Sequence, residues 1–455
     1  MRAIGRVVLT VAMVTSFAPP AISVTRDVAT TTPIRHFIVL MQENHSFDNY
    51  FGTYAPADGI PEGTCMPIDP TDPSTNCVES YHIGNEGITD LGHNLGVATD
   101  QLRGGEMDGF IWAFRNTPAG GRHAMGYYDE RDIPYYWNLA DEYVLFDRFF
   151  TSAMGGSVWN HMYWVTGTPG NLAEDSIPRG GFGDLPTIFD RLEEAGISWK
   201  FYIQNYDPTI THRARQGLGH RGSQVVWAPL LAYDRYIDDP ELSSHIVDLD
   251  EYYEDLQNDT LPAVAYIVPS GASEHPPGSI QAGERFIRTL INSLKRSPAW
   301  ESSAFMWAYD DWGGWFDHVV PPSVDEFGYG FRVPALLVSA YARHGHVDST
   351  VLDFTSMLKF VEENWSLEPL AERDAAANNL LSAFDFNSPP RAAVLLDRER
   401  IASGALPDPN RAVLFAAYAV AIALAATLIF FAVIEVQVRS FLARRARSLQ
   451  RQSRR

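Results

Sequence analysis

Phe37-Ile38-Val39-Leu40-Met41-Gln42-Glu43-Asn44-His45-Ser46-Phe47 passes from an unbroken apolar run straight into a carboxylate and an amide. Five consecutive apolar residues predict a strand covered on both faces, the kind found in parallel sheets. In open α/β sheets ligands collect at the carboxyl ends of strands. Glu43 and Asn44 stand at such an end as two neighbouring oxygen donors, which suits half of a metal site. Taken alone they also fit a strand-end turn, where Asn is common. A second apolar run, 304–308, ends in Asp310-Asp311 and offers the other half.

Two further runs, 263–268 and 335–338, have the same unbroken apolarity. Amphipathic helical patterns cover 186–195, 282–294 and 355–365. Strands alternating with helices predict a layered α/β fold, with a mostly parallel central sheet flanked by helices. Residues 56–121 are rich in Gly, Pro, Asp and Thr and predict long loops over the sheet. Cys65 and Cys77, the only cysteines, lie in that region, and in an exported chain they would form a disulfide.

Both ends carry membrane signals. Arg2 and Arg6, an apolar stretch and Ala21-Ile22-Ser23 predict a signal peptide over 1–23. Residues 412–434 contain no charge. As a helix they would reach about 34 Å, long enough to predict one C-terminal transmembrane helix. Residues 386–411, with four prolines, read as a linker or stalk, and 435–455 as a basic cytoplasmic tail. These signals place 34–385 outside the cell as a single-pass membrane protein's working domain. The net charge is −21, and because the tail is positive the rest of the chain is more acidic still. An acidic body argues against a nucleic-acid partner.

The late motif is Tyr309-Asp310-Asp311-Trp312-Gly313-Gly314-Trp315-Phe316-Asp317-His318. Adjacent carboxylates repel unless a proton or cation lies between them. A solvated acidic loop is the plainer reading, which the tryptophans disfavour. Gly155-Gly156-Ser157 offers a hydroxyl on a turn with no Ser-His-Asp order around it, so activation by a metal is expected. His93, His275 in Ser273-Glu274-His275-Pro276-Pro277, and His318 are acid/base or phosphate-binding candidates. Hard oxygen donors, a serine and three histidines suit phosphoryl transfer assisted by one divalent ion, calcium, magnesium or manganese.

Those motifs, with Met107-Asp108-Gly109-Phe110 and Pro134-Tyr135-Tyr136-Trp137-Asn138-Leu139-Ala140-Asp141, resemble the bacterial phospholipase C and acid phosphatase phosphoesterase family over about residues 34–365. The resemblance implies an alkaline-phosphatase-like core and a phosphoesterase domain over 34–385. It implies that Glu43, Asn44, Asp310 and Asp311 bind one metal and that Ser157 is the nucleophile. It also implies that His93, His275 and His318 bind phosphate or move protons. Phospholipase-like members tend to have Arg where this chain has His161, which separates it from them near the nucleophile.

The expectation is therefore a membrane-tethered phosphoesterase forming a phosphoserine, with a phospholipid or small phosphoester as substrate. Phospholipase C is the first reading and a broad acid phosphatase the second. A non-catalytic surface binding protein is the alternative of another class. Trp137, Trp159, Trp164, Trp312 and Trp315 would either line a cage for a choline head or pack in the core.

Overall fold

The computed structural model describes residues 29–400 apart from 73, 75, 85–87 and 118–120. An eight-stranded sheet organises them. Its strands are β1 (His36–Gln42), β2 (Val144–Phe146), β3 (Trp199–Ile203), β4 (Ile246–Asp248), β5 (Val264–Val268), β6 (Ser303–Tyr309), β7 (Ala335–Ser339) and β8 (His346–Asp348). Across the sheet they lie in the order β8-β2-β7-β6-β1-β5-β3-β4. β7 runs antiparallel to both neighbours, and the other pairings are parallel.

The four apolar runs are the four adjacent central strands β5, β1, β6 and β7, buried along nearly their whole length. Continuous apolarity reports burial on both faces, not direction, so β7 shares the pattern while running the other way. Lys200 interrupts β3, and β2, β4 and β8 are three residues each, too short for a pattern to stand out.

The helices that matter for the site are α1 (Phe47–Phe51), α2 (Pro134–Glu142), α3 (Ser157–Thr166), α4 (Ile188–Ala195), α5 (Ile280–Arg296) and α6 (Phe354–Trp365). The expected helices correspond to α4, α5 and α6. α4 begins with a reciprocal Thr187–Asp190 cap and ends at Gly196 in the left-handed region. α5 buries Ile280, Ile287, Leu290, Ile291 and Leu294 along one stripe, and Lys295 and Arg296 suit its negative end. The 56–121 region carries a short antiparallel pair, Cys65–Pro67 with Cys77–Glu79, joined by the Cys65–Cys77 disulfide. It also holds the helix Leu95–Leu102.

The expected transmembrane helix is withdrawn. No helix among the described residues is long and apolar enough to cross a membrane. The longest of them, α5, has seventeen residues and a charged outer face. The membrane tether, the membrane partner and the single-pass localisation with an extracellular domain fall with it. Residues 1–23 and 412–434 and the basic tail lie outside the described residues. Residues 386–400 contain no helix and lie along the body. There the Arg391 guanidinium pairs with Glu142, and Trp300 Nε1 donates to Arg391 O at 3.0 Å.

Candidate functional site

The β1–β6 register builds the centre of the site. The strands pair in parallel with Gln42 opposite Tyr309, so Glu43 and Asp310 emerge side by side at the same edge. Asp310 N donates to Gln42 O at 3.0 Å. Asn44, at φ 62°, then turns the chain so that its N donates to Asp310 Oδ1 at 3.2 Å. Asn accepts that left-handed conformation better than most residues. Gly313, at φ 63°, closes over the turn, where a Cβ would meet Asn44 O at 2.3 Å. The parallel neighbour β5 ends at this edge as well, and its following loop delivers Glu274 and His275.

Glu43, Asn44, Asp310 and Asp311 are all buried. His161, from α3, faces them with Nε2 3.6 Å from Glu43 Oε1 and 3.8 Å from Asp310 Oδ2. Glu43 Oε1, Asp310 Oδ2 and His161 Nε2 have no hydrogen-bond partner. Buried polar atoms left unpaired are costly, and three that converge fit a cation between them. Burial and then the charge of Asp310 push the Glu43 and Asp311 carboxyls well above the usual carboxylate range. Burial lowers His161 to about 4, keeping the imidazole neutral and its lone pair available. This set of buried carboxylates and a histidine can hold a divalent metal ion.

His93 lies against the Asn44 amide. Its Nδ1 lies 2.8 Å from Leu91 O and must donate to that carbonyl. In the neutral tautomer Nε2 then accepts, and the Asn44 amide nitrogen lies 3.0 Å away. With the amide turned over, its nitrogen instead donates to Glu43 Oε2 at 3.1 Å and Asp310 Oδ1 at 3.3 Å, and its oxygen accepts from His93 Nε2 at 3.0 Å.

Ser157 is the first residue of α3, and its hydroxyl donates to Asp311 Oδ2 at 3.4 Å. Gly156 precedes it because a Cβ there would lie 2.5 Å from Asp175 Oδ2. Asp175 in turn accepts from Trp159 N at 2.8 Å and fixes the start of the helix. His93 Nε2 is 4.0 Å from Asp311 Oδ2, and its ring stands edge-on to His275 at 5.5 Å. His275 Nδ1 lies 2.8 Å from Pro276 O, which leaves Nε2 as the reactive nitrogen.

His318 makes a different set of contacts. Its Nδ1 is 2.7 Å from Asp48 Oδ2 and its Nε2 3.3 Å from Asp58 Oδ1. Burial opposes its charge, but the hydrogen bond to Asp48 and the charges of Asp48 and Asp317 together raise its pKa. Arg332, fully buried, joins the group through Asp317 and Asp48. None of these contacts is with Ser157, the other two histidines or the four oxygen donors.

The five tryptophans are buried apart from one another. Trp137 donates to Tyr50 O and Trp312 to Gln101 Oε1. Trp164 packs on Tyr266, Trp315 on His45 and Trp159 on Phe327. They are core residues and form no cage.

Sequence reasoning also passed over Glu274 as more than a neighbour of His275. The buried carboxylate accepts from Tyr50, Tyr136 and Tyr309 at 2.5, 2.6 and 2.9 Å. Burial raises it from 4.5 to about 7 against the pull of those three bonds. As pH rises the unfolded chain therefore loses this proton first. The stability contribution is whole below 4.5 and is lost by about 7. Glu274→Gln should flatten that part of the stability curve by about 3 kcal/mol in denaturant titrations. A slope unchanged from wild type would count against the assignment.

Comparison with known proteins agrees with this chemistry. A family model described as "Phosphoesterase family" matches residues 34–368. Phospholipase C B of Mycobacterium tuberculosis (strain ATCC 25618 / H37Rv) is 30% identical over 423 residues, covering 79% of this chain and 79% of its own. Non-specific phospholipase C1 of Arabidopsis thaliana is 26% identical over 404 residues, covering 79% of this chain and 72% of its own. A crystal structure of a protein in the alkaline phosphatase superfamily from Vibrio parahaemolyticus is 14% identical and has a TM-score of 0.34. It covers 74% of this chain and 68% of its own, a likeness too loose to bear on the chemistry.

Proposed function

The chain belongs to the Phosphoesterase family, hydrolases of phosphoester bonds, and from that premise we propose that it is a metal-dependent phospholipase C with Ser157 as its nucleophile. The observation that carries this reading is the parallel register, which brings Glu43-Asn44 beside Asp310-Asp311 with the Ser157 hydroxyl 3.4 Å from Asp311. In the proposal residues 34–385 form the catalytic domain, and Glu43, Asn44, Asp310 and Asp311 hold one calcium, magnesium or manganese ion. Such an ion lowers the pKa of a nearby hydroxyl and neutralises a phosphoryl oxygen.

Ser157 Oγ, its proton lost to solvent, forms a bond to phosphorus as the bond from phosphorus to the alcohol oxygen breaks. His275 Nε2, when protonated, gives its proton to the departing alkoxide. The same nitrogen then takes a proton from water, whose oxygen attacks phosphorus and releases the Ser157 oxygen. His93 orients Asn44 and lies beside His275, where it faces the phosphoryl group.

The names of the relatives favour a phospholipid diester as substrate. Against this, the buried tryptophans and His161 in place of Arg favour a phosphomonoester. Parallel rates on phosphatidylcholine micelles and p-nitrophenyl phosphate distinguish the two. The expected result is diacylglycerol release that stops with chelator and returns with a divalent ion. Fast monoester hydrolysis without diester cleavage would replace the reading by an acid phosphatase. No hydrolysis of either, with ions supplied, would favour a binding protein.

A further inference from the structure

Ser157 and His161 are one helical turn apart on α3, so the same face that presents the hydroxyl presents an imidazole. His161, Glu43 and Asp310 are 1%, 1% and 0% exposed, so water cannot satisfy their free atoms. The distances from Nε2 to Glu43 Oε1 and Asp310 Oδ2, 3.6 and 3.8 Å, are too long for hydrogen bonds. They are close to the spacing of donors that share an ion, since atoms bound at about 2.1 Å lie roughly 3–3.5 Å from one another. The Trp164 ring stands edge-on to the imidazole at 5.8 Å and backs it.

We infer that His161 supplies a nitrogen ligand to the ion and that the resident ion is a first-row transition metal. Imidazole suits zinc, copper, iron and nickel, whereas calcium, magnesium and manganese prefer oxygen ligands. This rests on the proposed carboxylate site and moves its metal from the hard cations toward one that accepts nitrogen. It also ties the ion to the helix that carries the nucleophile.

The test uses the full chain stripped of metal. Wild type, His161→Gln and Asp310→Asn are titrated with cobalt alone and with calcium alone, with folding checked by circular dichroism. Loss of a nitrogen ligand should weaken cobalt binding at least about tenfold and change its visible spectrum, with calcium binding little altered. Cobalt bound equally tightly and with the same spectrum by His161→Gln would overturn the nitrogen ligand. If Asp310→Asn alone abolished binding, the carboxylate site would stand and the nitrogen ligand would fall. If neither variant changed binding, both would fall. Should His161→Gln fail to fold, pulsed electron paramagnetic resonance of the manganese-loaded wild type decides. Nitrogen hyperfine coupling is expected, and its absence would overturn the inference.

Discussion

Ser157→Ala lowers phosphoester hydrolysis by at least about a thousandfold, while the fold and metal affinity stay near wild type. The size follows from the role. A covalent nucleophile divides one difficult displacement into two easier ones, and no neighbouring group replaces it. The hydroxyls shortly before it, Thr151 and Ser152, are engaged with Ala153 O at 3.1 Å and Asp353 Oδ2 at 2.8 Å. The fold should tolerate the change because Ser157 is at the first position of α3, with Asp175 holding the helix start through Trp159 N. Michaelis parameters and metal titration on the same preparation check both halves. A loss below about tenfold would show that water attacks phosphorus directly.

Arg332→Met lowers the unfolding free energy by about 3–5 kcal/mol, the largest stability effect expected from one side chain here. The guanidinium is fully buried and donates to Asp317 Oδ1 at 2.9 Å and Asp48 Oδ1 at 3.0 Å. It also donates to the carbonyls of Asp58 and Asp147 at 2.8 and 2.9 Å. Without it two buried carboxylates and two carbonyls lose their partner. Burial already lifts Asp317 to about 6 with Arg332 opposing the shift, so its removal should drive Asp317 to the neutral form. Equilibrium denaturation measures the loss, and adding Asp317→Asn should recover part of it. A change below about 1 kcal/mol would contradict the ion network.

How much of this was legible follows from how close the residues lie in the chain. Glu43-Asn44 and Asp310-Asp311 each follow an apolar run directly, so the strand and its donors could be read together. That the two pairs meet depends on β1 lying beside β6, a neighbour relation that apolarity does not encode. His161 was visible only as a departure from a motif. Its helical relation to Ser157 was hidden because the two glycines read as a turn, when they precede a ten-residue helix. His318 follows the acidic pair by only a few residues, yet its side chain binds Asp48 and Asp58. The membrane span was read from the length and apolarity of residues 412–434, which lie outside the described residues, and no described helix has both.

The stereochemical course at phosphorus tests the two-step displacement most directly. A phosphorothioate diester of one hand is hydrolysed in isotopically labelled water by the metal-loaded chain, and the product's configuration is determined. Attack by Ser157 followed by attack of water inverts phosphorus twice, so retention is predicted. Inversion would mean a single attack by water and would contradict the account.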